Sequence, residues 1–394
     1  MIIKDGIIIS NNSKKTLDIQ IIDKYIVNIN RNIKSGNEKV INAKGKYVVP
    51  GYIELHSHGG IGKSFMSSNI KEYDEIIKYH LMHGVTSIMP TTIKIPNEDL
   101  FKILDFYKNY IQNGKYRDCL VGIHVEGSFI SEKMIGAQLM SLPEKMRKTE
   151  FINKFITYVN ENKNIVQRVT MAPEIYNSEK IINNLLLNNI LISIGHTESM
   201  YDQVVWAHKN GATLITHLYS SMNGLKKQEG IRRPGAIEAG LLEKNLSVEL
   251  IGDIVHIPKE ILELVFSIKN KNEIIFTTDS STLTGYNERY GYLGISQNSP
   301  IIEKKKGAAW IKGTNQLAGG ILPFDVMVKK VYENTSIKLE ALIQMVTENP
   351  AKLINKFHEI GSIETGKIAN ILILDPHLNI EKVIFNGKEI INVS

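Results

Sequence analysis

One cysteine in 394 residues excludes any intrachain disulfide. A reducing compartment fits that usage, and Cys119, in the run Asp118-Cys119-Leu120-Val121, reads as a small buried hydrophobe rather than a nucleophile. No apolar stretch reaches the roughly 18 residues needed to cross a bilayer, so no membrane partner is expected. Met1–Ser10 lacks the basic region, apolar core and small-residue cleavage site that together mark a signal peptide. A cytoplasmic location is the expectation. No basic block stands behind the net charge of +6, because the lysine excess is spread along the chain, and nucleic-acid binding is not expected. A modest positive field of that kind suits an anionic small molecule. Internal repeats and low-complexity segments are also missing. What remains, 43% hydrophobic and 22% charged residues, is the make-up of an ordinary globular enzyme.

The two ends of the chain read alike. Ile2-Ile3, Gly6–Ser10, Ile19–Ile22, Tyr25–Ile29, Lys39–Ile41 and Tyr47–Val49 are short β-type runs broken by turn clusters such as Asn11-Asn12-Ser13. Gly361–Ile363 and Ile368–Leu374 continue the pattern. Lys382–Phe385 and Lys388–Val393 form a hairpin around Asn386-Gly387. The middle alternates apolar strands with helical patterns, which predicts parallel βα units. Strands are expected at Tyr52–His56, Thr86–Pro90, Leu120–Glu126, Val166–Ala172, Leu191–His196, Thr213–His217, Ser247–Ile251 and Ile274–Asp279. Helices are expected at Lys71–His83, Asn97–Asn113, Lys145–Glu161, Ser178–Asn188 and Lys259–Lys269. Eight such strands predict an α/β (β/α)8 TIM barrel over residues 51–356. Residues 1–50 and 357–394 would then form one small β-sandwich domain from both chain termini.

Chemistry in such barrels sits at the C-terminal ends of the strands. His56 and His58 leave the first strand on one face, since side chains alternate along a strand. An H-x-H alone is as often a solvated pair as a ligand pair. The other strand ends shift that balance: Glu126 follows the third, His196 the fifth, His217 the sixth and Asp279 the eighth. Packing alone rarely requires six such residues in register. Imidazoles and carboxylates without thiolates suit a divalent metal, one or two ions, with zinc first and iron or manganese as alternatives. An aspartate outside the shared ligands can take a proton from water and pass it to a leaving amine, and Asp279 is assigned that general base and acid role. His80 and His83 are explained as caps at a helix end. His124 shares the face of Glu126 and is expected to fill the barrel or support a ligand.

These motifs resemble the amidohydrolase superfamily and, within it, the family of N-acetylglucosamine-6-phosphate deacetylases. The resemblance is carried by PGYIELHSHG from Pro50, GIHVEGSFI from Gly122, MAPE from Met171, GHT from Gly195 and THLYSSM from Thr216. RRPGAIEAG from Arg232, TTDSSTLTG from Thr277 and LAGG from Leu317 follow in the family's order. It implies Glu126, His196 and His217 around a catalytic metal, with His56 and His58 for a second ion. It implies His256 against the sugar, Ser220 and Ser221 at a phosphate, and Leu317, Ala318 and Gly319 over the acyl group. Arg232 would clamp phosphate across a subunit interface, which implies a homodimer. A guanidinium fork suits a phosphate dianion. The implied reaction removes the N-acetyl group of N-acetylglucosamine 6-phosphate, giving the amino sugar phosphate and acetate.

Four positions depart from the family pattern. Ser128 replaces a proline, Ser220-Ser221 replace Asn-Ala, and Gly320 replaces a serine. Gln138 stands where the family has a histidine near the substrate carbonyl. An amide can donate there but cannot become charged. The departures surround the substrate and spare the six strand-end residues. Other N-acyl substrates therefore stay open: N-acetylgalactosamine 6-phosphate, an unphosphorylated N-acyl sugar or an N-acyl amino acid. A barrel without activity, serving as a binding protein, is a third reading that the intact ligand set disfavours.

Overall fold

The computed structural model describes residues 1–10, 13–138, 148–295 and 299–392, with no side-chain description for 391 and 392. The turn expected at Asn11-Asn12, residues 145–147 of one expected helix and the last hairpin residue, Val393, lie outside them.

Eight parallel strands form the centre: β1 (Tyr52–Ser57), β2 (Val85–Pro90), β3 (Ile123–Phe129), β4 (Val166–Met171), β5 (Leu191–Ile194), β6 (Leu214–Ile215), β7 (Ser247–Ile251) and β8 (Ile274–Thr277). β1 pairs with β2, and β3 to β8 pair in sequence order. Parallel bridges Ile88 to Leu120 and Thr91 to His124 join β2 and the residue after it to the approach and body of β3, and Ser57 to Ser280 joins the exit of β8 to β1. The sheet is closed. Every residue of β1, β2, β7 and β8 is buried, as expected of strands covered on both faces.

Helices α1 (Ile70–Met82), α2 (Asn97–Asn113), α3 (Lys148–Glu161), α4 (Ser178–Leu187), α5 (Tyr201–Lys209), α6 (Ala236–Leu242), α7 (Lys259–Ile268) and α8 (Phe324–Asn334) follow the strands, one after each. Two further helices, α9 (Leu339–Val346) and α10 (Glu348–Leu353), follow α8. Each long helix buries a stripe, such as Tyr73, Ile76, Ile77 and Leu81 of α1, against the strands. Between β8 and α8 the chain makes a three-stranded antiparallel sheet, Tyr290–Tyr292, Ile301–Lys305 and Ala308–Ile311. The sequence pattern did not announce it.

The terminal strands share one continuous sheet. Its order is Lys388–Asn392, Ile380–Phe385, Ile371–Leu374, Tyr47–Pro50, Ile2–Ser10, Ser13–Ile22, Tyr25–Asn30, with Val40–Asn42 also on Ile2–Ser10. Ile26 near one edge and Ile384 near the other fall in the same core cluster with Ile3, Ile8 and Ile371, so the sheet folds over its own apolar face. Bonds from Ile26 N to Lys367 O and Ala369 N to Lys24 O close the fold. The two layers of the expected sandwich are thus one sheet. Gly361–Ile363, expected as a strand, has no strand conformation.

Candidate active site

The six strand-end residues meet at the C-terminal mouth of the barrel. Glu126 is central. Its Oε1 lies 3.5 Å from His56 Nε2, 3.5 Å from His196 Nε2 and 3.3 Å from His217 Nε2, and its Oε2 lies 3.4 Å from His58 Nε2. Asp279 Oδ1 sits 3.4 Å from His56 Nε2 and 3.2 Å from His58 Nε2. All six are buried. Two triads that could hold a cation share Glu126: His56, His58, Glu126 and Glu126, His196, His217.

The imidazole hydrogen bonds decide which nitrogen faces inward. His56 Nδ1 donates to Glu249 Oε1 at 2.9 Å, His196 Nδ1 to Met134 O at 2.7 Å, and His58 Nδ1 to Thr91 O at 3.3 Å. Each donation leaves an Nε2 lone pair aimed at the centre, the arrangement of metal-ligating histidines. His56 Nε2, Glu126 Oε1 and Asp279 Oδ1 are buried without a hydrogen-bond partner among the described residues. Orphaned acceptors converging in this way fit a divalent cation.

The charges agree. Burial would lower His58, but Asp279 and Glu126 outweigh it and push its pKa up to about 9. His56 is likewise depressed by burial and raised overall by Glu126, Asp279 and Glu249. Burial would raise Asp279, and His56 and His58 hold it below the ordinary carboxylate range, so it rests ionised. The cluster is an acidic environment that draws positive charge inward.

Backbone geometry at the strand exits is unusual. His196, His217, Ser221 and Asp279 have φ of 47°, 27°, 50° and 46°. Residues with side chains rarely adopt this left-handed region, and the cost, about 1–3 kcal/mol each, is met only where the surroundings enforce it. Gly127 (φ 97°) shows one such constraint: a Cβ there would lie 2.3 Å from Lys94 N and 2.6 Å from Gln138 Oε1. Gly319 (φ 86°) shows another, since its Cβ would meet Asp279 O at 2.6 Å.

A cavity of about 250 Å3 opens over the cluster, lined by His58, Glu126, His196, His217 and Asp279. Gln138, Ser220, Ser221, His256, Leu317, Ala318 and Gly319 line it as well. Gln138 Nε2 donates to Glu126 Oε2 at 3.1 Å, and its Oε1 accepts from Lys94 N at 2.6 Å. His256 Nδ1 donates to Asp253 Oδ2 at 2.7 Å. Arg232 is set apart. It is exposed, on strand Ile231–Arg233 of a two-stranded hairpin with Lys226–Gln228, and does not line the cavity.

The cap reading fails for His80, which is buried with Nε2 3.1 Å from Gly59 O and 3.3 Å from Ser57 Oγ, supporting the loop after β1. His124 fills the barrel between Thr91 Oγ1 (3.2 Å) and Thr170 Oγ1 (2.7 Å). Three residues went unseen in the sequence. Arg168 on β4 and Glu249 on β7 form an ion pair with no exposed side-chain surface. Burial would raise Glu249, and the Arg168 guanidinium and His56 overcome that and hold it far below the usual range. Glu54 was also missed. Its carboxylate accepts from Thr277 Oγ1 (2.5 Å), Thr278 N (2.9 Å), Thr278 Oγ1 (2.6 Å) and His56 N (3.0 Å), fastening the exit of β1 to that of β8.

A closed parallel barrel with buried imidazoles and carboxylates gathered at its strand ends marks a (β/α)8 hydrolase whose mouth could hold a divalent metal. The chain belongs to the amidohydrolase family, whose sequence model matches residues 47–390, and is a hydrolytic enzyme. It is 27% identical over 379 residues to the N-acetylglucosamine-6-phosphate deacetylase of Lysinibacillus sphaericus, covering 94% of this chain and 92% of that one. It is 26% identical over 352 residues to the N-acetylgalactosamine-6-phosphate deacetylase of Escherichia coli O157:H7, covering 89% of each. Its fold superposes on the crystal structure of N-acetylglucosamine-6-phosphate deacetylase from Thermotoga maritima with a TM-score of 0.83, at 25% identity and full coverage of both chains.

Proposed function

We propose that this enzyme removes the acetyl group of an N-acetylhexosamine 6-phosphate, with N-acetylglucosamine 6-phosphate as first substrate. The observation that carries the reading is the six buried side chains converging beneath a cavity of about 250 Å3. That volume is at the small end for a ligand site and matches a single sugar rather than a polymer. Glu126, His196 and His217 would hold one ion, and His56 with His58 a second beside the shared carboxylate. Zinc suits this donor set, with iron or manganese as alternatives. When bound, the ion supplies a Lewis acid for the amide carbonyl and acidifies water at neutral pH.

The chain's own residues do the rest. Asp279, ionised at rest, would accept the proton of the attacking water and deliver it to the amine as the C–N bond breaks. Gln138 offers an uncharged N–H at the carbonyl, its other amide atoms being fixed by Glu126 and Lys94. His256 would orient the sugar. Leu317, Ala318 and Gly319 close over the acyl group and keep bulk water away. Ser220 and Ser221 would meet the phosphate, with Arg232 donated from a second copy of the chain, so a homodimer is part of the proposal. A cytoplasmic enzyme with one buried thiol completes it.

The relative acting on the galactose epimer supports N-acetylgalactosamine 6-phosphate as the second reading. Hydrolysis rates over both phosphorylated epimers and their unphosphorylated forms, with metal counted in the same preparation, separate the two. Preference for a phosphorylated N-acetyl sugar is expected. Turnover of none of them by metal-replete enzyme would overturn the proposal.

A further inference from the structure

We propose that Glu249, neutralised by Arg168, is a positioning residue that serves both ligand triads at once. The inference rests on the metal reading above and goes beyond it. Glu249 Oε1 accepts two hydrogen bonds, from His56 Nδ1 at 2.9 Å and from His217 N at 3.1 Å. Its main-chain oxygen also accepts from Leu218 N at 2.8 Å. His56 belongs to one triad and His217 to the other. The first bond fixes the His56 tautomer, with the proton on Nδ1 and the lone pair on Nε2 toward the centre. The second grips the backbone of His217 where φ is 27°, a conformation the chain would otherwise leave. One carboxylate thus commits a side chain in one triad and a backbone in the other.

Arg168 makes that carboxylate tolerable in the barrel. Its Nη1 donates to Glu249 Oε2 and to Leu55 O at 3.1 Å, and Nη2 to Ser193 Oγ (3.1 Å) and Thr216 Oγ1 (3.2 Å). These partners sit on or directly beside β1, β5, β6 and β7, and the first three of those strands lead into the four histidines of the two triads. A pair whose only work were barrel filling would have no need to accept an N–H from each of two triad residues. Apolar replacements of similar volume would then serve as well, because exchanging a buried ion pair for packed hydrophobes is often neutral or stabilising.

That contrast supplies the test. Zn2+ and Co2+ binding is measured by chelator competition on the full chain, for wild type, for Glu249→Gln and for the double variant Arg168→Met/Glu249→Leu. Thermal melting and circular dichroism are followed alongside. The double variant is expected to fold, with cation affinity weakened 10- to 100-fold and a shifted Co2+ visible spectrum. Glu249→Gln, whose amide turns a donor toward Arg168, gives an independent reading if the double variant does not fold. Repeating the comparison on a His58→Ala background, where only Glu126, His196 and His217 remain a complete triad, isolates the grip on His217. A folded double variant binding as tightly as wild type overturns the proposal, and weakening confined to the chain with intact His58 overturns the shared role. Wild type that takes up no cation sinks the metal reading itself, a result distinguishable from both.

Discussion

Gln138 is clamped at both ends of its amide: Lys94 N donates to its Oε1, and its Nε2 donates to Glu126 Oε2. The clamp fixes which way the amide faces, so one N–H is committed to the central carboxylate while the other remains for the cavity. Gln138→Leu removes both donors without adding charge. If the free N–H meets the developing oxyanion, kcat falls about 100- to 1,000-fold, the cost of an oxyanion donor, with little change in KM. Steady-state kinetics with the metal content of the same preparation check this. An equal loss of bound metal would instead assign Gln138 to Glu126 alone.

Arg232 stands exposed on its hairpin, away from the cavity of its own chain. Arg232→Ala is expected to raise KM for the phosphorylated sugar roughly 10- to 100-fold, the worth of about 1.5–3 kcal/mol for a charge-assisted contact. KM for the unphosphorylated sugar should not move. Equal KM values for variant and wild type on the phosphorylated sugar would remove Arg232 from the phosphate site.

Glu54 accepts four hydrogen bonds, three of them across the seam between β1 and β8. Glu54→Gln turns an NH2 toward donors from Thr277 or Thr278. An unsatisfied buried pair costs about 1–3 kcal/mol, so a lower melting temperature is expected. Because the same bonds set His56 against Asp279, turnover should fall with it. A variant as stable and as active as wild type would show that the seam does not depend on this carboxylate.

Asp18 gives a pH signature far from the site. Burial would raise its carboxyl, but Lys4 Nζ at 2.8 Å and the backbone N–H groups of Asp5 and Ile33 hold it below its ordinary value. A depressed folded pKa contributes stability that is complete above the unfolded value and lost as pH falls through the folded one. The stability gap between wild type and Asp18→Asn should therefore be widest near neutrality and shrink below about pH 4. Urea midpoints at pH 7 and pH 3 measure it, and a gap that grows in acid would contradict the assignment.

Sequence pattern revealed the barrel because period-two apolar runs and period-3.6 stripes are local. Ser247–Ile251 and Asn97–Asn113 agree with their expected ranges to the residue. Strands β5 and β6 stop earlier than expected because the chain turns into left-handed φ near His196 and His217, and nothing in those side chains foretells it. The third strand begins later than expected, at Ile123, since Gly122 breaks the line at φ 119°. The strand-end residues of the candidate site were legible because charged and imidazole groups interrupt apolar strands at their exits. Arg168 and Glu249 were not, because each lies within a buried strand and finds its partner 81 positions away in the chain. Such a pair has meaning only after the barrel has closed. Arg232 marks the same limit from the other side, as its proposed work belongs to a second copy of the chain.

The terminal sheet binds the order of synthesis to the assembly of the candidate metal site. Tyr47–Pro50 runs, with only Gly51 between, into the strand that delivers His56, and its neighbour in the sheet is Ile371–Leu374. On the ribosome that neighbour emerges only after all eight barrel strands, so the segment anchoring the strand of His56 waits with one flank bare until they are out. A nascent chain halted after the barrel would carry all six strand-end residues and still lack the brace beneath the first of them.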